Sequence, residues 1–183
     1  MSAIKKSDVR VKKIKTSKVY ISAASKNDKS LGNRATNLAT IAAAAYEVLK
    51  NTGLLVLPDD VTIRIAHTKK ATNHGAFYSK EKVVVVDPRF AYKTMMQTIC
   101  HELVHAEQYY EGRLAWDYDK GVQMWNDAPV YNKGTTYKRY REMPWEVEAF
   151  SRQEKLAEQV WMALIELGII PLSWYRTNVL LQK

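Results

Sequence analysis

The chain has a single cysteine, Cys100, so it can form no internal disulfide and holds no cysteine-rich zinc motif. It also has no apolar run near the roughly 18 residues of a membrane span; its longest, "IAAAAY" and "VVVV", are core-sized. The first residues, "MSAIKKSDVRVKKIKTSK", lack the apolar stretch of a secretory signal. These absences together lead us to expect a protein of a reducing cytoplasm with no membrane association. Internal repeats and low-complexity tracts are missing as well, which excludes solenoids and fibrous folds.

What is present fits a globular chain. Its 183 residues, 46% of them apolar, suffice for one domain with its own core. The net charge is +9, and part of the excess is local: residues 1–18 carry seven Lys and Arg against Asp8 alone. We read residues 1–24 as a basic arm or edge strand, able to meet nucleic acid or an acidic partner or simply to be solvated. Residues 25–183 are read as one domain.

Helical spacing of Leu38, Ile41, Ala42, Ala45, Val48 and Leu49 predicts a helix over 33–51, stopped at Gly53. "VTIRIA" (61–66) alternates as a half-buried strand. "AFYS" and "KVVVVD" read as two further strands joined by a polar turn. The all-apolar run Val83–Val86 suits a buried central strand, which leaves "GAFY" (75–78) as the edge. Asp87 and Pro88 look like the N-cap and first residue of a helix over 88–110. Residues 112–143, rich in Trp, Tyr and Lys, show little periodicity and read as a long loop of the kind that often carries function. A last helix spans 144–167. The order of elements predicts an α+β domain: a small mixed or antiparallel sheet packed on a central helix, with further N-terminal and C-terminal helices.

The chemistry concentrates in "TICHELVHAEQYYEG" (98–112), which contains His101, Glu102 and His105 as H-E-x-x-H. Residues four apart share a helix face, so both histidines can reach one ion. Glu102, beside that face, can then serve a water rather than the metal. The rival reading is a structural helix with two half-exposed histidines. Cys100 precedes His101 but points away from the ligand face, as a small buried apolar residue.

"TICHELVHAEQ" resembles the active-site helix of the zincin metallopeptidases, and the chain resembles a small, gluzincin-like minimal zincin such as bacteria and phages encode. The resemblance covers about residues 76–155. It implies a zincin-like fold, a Zn²⁺ cofactor held by His101 and His105, Glu102 as general base, hydrolysis of a protein or peptide substrate, and an edge strand that pairs with it. A phage-encoded protein of the host cytoplasm or virion fits the same resemblance. The third ligand is open. No histidine follows His105, so a glutamate of "PWEVEAFSRQE" is expected. Glu146 fits the E-x-x-A pattern of gluzincins and is preferred to Glu148. Phe150 stands where that pattern has an Asp, so the support of the histidines is open; Asp117, Asp119 or Asp127 could supply it. Oxyanion stabilisation falls by type to His74, Tyr78, Tyr109, Tyr131, Tyr137 or Tyr140. Two other functions are weighed: a metalloprotease acting on nucleic-acid-bound proteins through the basic arm, and a non-catalytic zincin-fold protein of a phage or mobile element. Glu102 argues against the latter, since a structural zinc does not use that carboxylate.

Overall fold

A computed structural model describes residues 18–68, 74–117, 119, 121–130 and 137–181. Most of the basic arm therefore lies outside the described residues, as do Tyr131 and the side chain of Tyr137. The architecture is mixed α+β, with two small sheets and several helices.

The first sheet has strand order β1-β2-β4-β3. β1 (Val19–Ile21), β2 (Thr62–Ile65) and β4 (Val83–Val86) run parallel, while β3 (Gly75–Tyr78) is antiparallel to β4 and forms the edge. β4 is interior and buried, as its unbroken β-branched run requires. Ile63, Ile65, Val84 and Val86 point from one face of the sheet into the main core.

Helices cover that face. A short α1 (Ala23–Asn27) and a 3₁₀ turn lead into α2 (Arg34–Asn51), whose run from Ile41 to Tyr46 is entirely buried. The four alanines there let α2 lie close to its neighbours. α3 (Tyr92–Tyr110) packs on β3 and β4, and α5 (Pro144–Glu166) packs mainly along α3. Beyond α5, the short α6 (Leu172–Tyr175) and a π-helical turn close over it, with Trp174 against Tyr92 and Trp161. Among the described residues no helix is long and apolar enough to cross a membrane.

Two expectations need correction. α3 begins at Tyr92 with Ala91 as its N-cap, not at Asp87–Pro88. The Asp87 carboxylate is instead spent on the backbone N–H of Thr68 (2.8 Å) and of Arg89 (3.0 Å) and on the Arg89 guanidinium, fastening the end of β4 to the loop after β2. The region 112–143 is not a structureless loop. It holds a second, antiparallel sheet, β5 (Leu114–Asp117), β6 (Val122–Trp125) and β7 (Ala128–Val130), followed by a short helix α4 (Tyr137–Arg141). The tight turn at Asn126 (φ 47°) and Asp127 (φ 63°) explains the hairpin, because Asn and Asp tolerate the positive φ that a two-residue β-turn demands.

Candidate metal centre

α3 and α5 bring three side chains to one point. His101 and His105 lie one turn apart on α3, and Ile99, Leu103 and Ala106 turn into the core. Glu146 sits in the first turn of α5, after Pro144, where the helix dipole favours negative charge. It is only 1% exposed. His101 Nε2 is 3.2 Å from Glu146 Oε2, and His105 Nε2 is 3.2 Å from Glu146 Oε1. The two Nε2 atoms are 3.1 Å apart.

The outer nitrogens decide what those inner atoms are. His105 Nδ1 lies 2.8 Å from the side-chain oxygen of Gln108, and His101 Nδ1 lies 3.0 Å from that of Gln153. An amide oxygen only accepts, so each Nδ1 carries the proton and each Nε2 presents a lone pair. Gln108 is fixed in this sense because its amide nitrogen donates to the Trp145 carbonyl at 3.0 Å. The result is two nitrogen lone pairs facing a buried carboxylate whose oxygens both lack a hydrogen bond. Such a set suits a cation. Burial opposes the charged form of Glu146, but histidines protonated on Nε2, with Tyr140 a smaller contributor, outweigh it and hold the carboxyl at about 2, so proton and metal compete for the same lone pairs. Burial likewise opposes the His105 cation, yet Glu146 and Glu102 raise its pKa overall.

The spacing fits a metal too. Ligand atoms about 2.0–2.1 Å from a tetrahedral ion are about 3.3 Å from one another, close to the separations observed. His101, His105 and Glu146 could together hold such an ion.

Glu148, the alternative third ligand, faces elsewhere. It accepts from Arg113 at 2.6 and 3.2 Å and from Arg152 at 2.9 Å. Arg152 also reaches Glu107, which accepts the Val56 N–H at 2.7 Å. This ion-pair cluster ties α3, α5, the residue that leads into β5 and the loop after α2 together.

Gln108 and Gln153, not Asp117, Asp119 or Asp127, support the histidines, and sequence reading missed both. The available signal was position: Gln108 follows His105 by one turn of α3, and Gln153 follows Glu146 by two turns of α5. Phe150, at the place of the missing Asp, packs its ring 4.5 Å from that of His101, with the Arg141 guanidinium 4.1 Å from the Phe150 ring.

The cluster opens onto a cleft of about 780 Å³ that Glu102 also lines. Burial pushes the Glu102 carboxyl up, while the two histidines and a hydrogen bond from the Phe77 backbone pull the other way. β3 crosses α3 closely here. A Cβ on Gly75 would stand 2.5 Å from the Val85 carbonyl oxygen and 2.6 Å from Thr98 Cγ2, so glycine is required. His74, Tyr109 and Tyr140 border the cleft, whereas Tyr78 is not among its lining residues. Cys100 is fully buried and its thiol pKa is raised. Comparison with protein-family models, curated proteins and solved structures finds no match.

Proposed function

We propose that the chain is a zinc-dependent metallopeptidase with a zincin-like domain, in which His101, His105 and Glu146 hold Zn²⁺ and Glu102 is the general base. The observation that carries this reading is the convergence of two Nε2 lone pairs and an unpartnered carboxylate at 3.1–3.2 Å, in a cleft that also receives Glu102. Two imidazoles and one carboxylate are a known donor set for catalytic zinc. When bound, zinc lowers the pKa of a coordinated water toward about 7 and polarises a carbonyl.

The residues of the chain divide the remaining work. Glu102 lies on the cleft side of α3, where the Phe77 backbone favours its charged form. Its carboxylate takes the proton of the attacking water and passes it to the leaving amine nitrogen. Gln108 and Gln153 fix the tautomer and ring orientation of the two histidines. Tyr109, His74 and Tyr140 border the same cleft and are the tyrosine and histidine side chains, beyond the metal-site histidines, from which an oxyanion donor is drawn.

β3 gives the substrate a docking edge. Asp87 N–H donates to the His74 carbonyl, so Ala76 and Tyr78 face β4 while Gly75 and Phe77 turn their backbone groups away from it; Glu102 takes the Phe77 N–H, which leaves the Gly75 N–H and C=O and the Phe77 C=O to the open side. An extended peptide can pair there by strand addition.

The test has two readings. Elemental analysis of protein purified without chelators and offered Zn²⁺ should give one zinc per chain. Glu102→Gln should keep that zinc and lose on the order of a hundredfold or more of casein hydrolysis. A chain that binds no zinc, or a Glu102→Gln variant with full activity, refutes the proposal.

A further inference from the structure

The cleft has a second strand edge. Leu114, Ala115 and Trp116 of β5 line it in succession, as Gly75, Ala76 and Phe77 of β3 do. A strand that offers only a face to a cleft lines it with alternate residues, so consecutive lining means that the edge itself is presented. Both strands are edges of their sheets, with order β1-β2-β4-β3 and β5-β6-β7.

The register of β5 says which of its backbone groups are available. Asn126 N–H donates to the Arg113 carbonyl, so Arg113, Ala115 and Asp117 turn toward β6. Leu114 and Trp116 therefore direct their N–H and C=O away from β6, and no strand among the described residues pairs with them. The opposite edge of this sheet is blunted. β7 carries Pro129 opposite Met124, whose backbone turns toward β5, so the outward position of β7 has no N–H. Of the two edges, the one at the cleft is the one left able to pair.

The walls also select side chains. Phe77, Tyr109, Trp116, Tyr140, Trp145 and Phe150 line the cleft, and among the described residues its only ionisable acids and histidines are Glu102, Glu146, His74, His101 and His105. Among the described residues no Lys, Arg or further carboxylate lines it to pair with a charged substrate side chain.

We propose that β5 is a second docking rail, so that the substrate lies as an extended strand between β3 and β5 with apolar or aromatic residues on both sides of the cut bond. This rests on the peptidase reading above and deepens it. A strand turns alternate backbone groups to opposite sides. A peptide held by one rail uses every second N–H, and a peptide held by two rails uses neighbouring ones.

The experiment uses the wild-type, zinc-loaded chain. Cleavage sites in denatured β-casein are mapped by mass spectrometry, and the fastest-cut segment is made as capped peptides, each N-methylated at one position. Two rails predict that methylation at successive positions near the cut each lowers kcat/KM by about fivefold, the worth of one backbone hydrogen bond, and that apolar or aromatic residues flank the cuts. Sensitivity at alternate positions only overturns the second rail, and charged residues flanking the cuts overturn the predicted selectivity; either leaves the peptidase reading intact. Absence of any cleavage overturns the peptidase reading itself, and with it this one. As an independent arm, Leu114→Pro removes an outward N–H without breaking the β5–β6 ladder and should raise KM about fivefold over Leu114→Ala at equal zinc content. Equal KM values for the two variants count against the rail.

Discussion

The side chain of Gln108 bridges the two helices that carry the site: its oxygen accepts from His105 Nδ1 at 2.8 Å and its amide donates to the Trp145 carbonyl, next to Glu146, at 3.0 Å. One wholly buried amide thus sets the tautomer of one proposed ligand and the seat of another. Gln108→Leu keeps the size and removes both bonds. It should weaken zinc binding about 10- to 100-fold, measured by competition with a chromophoric chelator. Gln153→Leu should cost less, because Gln153 is only half-buried and supports His101 alone.

Gly75 marks where β3 meets α3 beside Glu102. Gly75→Val pushes a branched side chain into the Val85 carbonyl and Thr98. Backbone cannot move aside cheaply in a paired strand, so a loss of about 1–3 kcal/mol is expected in urea unfolding. Zinc content should survive, since His101, His105 and Glu146 lie on α3 and α5. Hydrolysis should fall sharply, because the displaced strand carries the Phe77 contact to Glu102.

Asp87 gives the fold an acid limit. Burial alone would raise its pKa, but the bonds from Arg89 and Thr68 outweigh that and hold it at about 2, below the ordinary 3.8. A depressed folded-state pKa stabilises above the unfolded value and loses that contribution as pH falls through the folded value. The loss therefore runs from about pH 4 down to about pH 2 and amounts to about 2 kcal/mol. Asp87→Asn should remove much of this stability at pH 7 and flatten the dependence in that window, read from urea midpoints at several pH values.

Sequence pattern exposed those parts of the molecule where one period dominates. The helix around His101 and His105, the apolar strand Val83–Val86 and the helix from Pro144 all follow from spacing and stop signals, and the observed elements agree to within a few residues, α3's start excepted. Asp87–Pro88 misled because the same Asp that can cap a helix can also bind an Arg two residues on and a distant loop. The sheet β5-β6-β7 was hidden for another reason. Its strands are three or four residues long, too short for alternation to stand out, and Gly121 and Asn126–Asp127, both at positive φ, were the turn signals available. At the site, the pattern favoured Glu146 over Glu148 but could not decide between them, since both stand early on α5. The fold sets them apart: Arg113, far away in sequence, draws Glu148 aside, while Glu146 faces both histidines.

That division of labour can be tested with two substitutions two residues apart. Glu146→Ala removes a buried carboxylate that faces both histidines, and it should abolish stoichiometric zinc binding. Glu148→Ala removes the carboxylate shared by Arg113 and Arg152, both partly exposed, and leaves them Glu111 and Glu107. Zinc should stay bound in that variant. Stability should fall by about 1 kcal/mol or somewhat more, because one carboxylate serves two guanidinium groups in partly shielded surroundings. High salt should narrow the gap between wild type and Glu148→Ala, while leaving the zinc deficit of Glu146→Ala unchanged. Elemental analysis and urea unfolding at two ionic strengths separate the outcomes. Loss of zinc in Glu148→Ala with retention in Glu146→Ala would reverse the assignment of the third ligand.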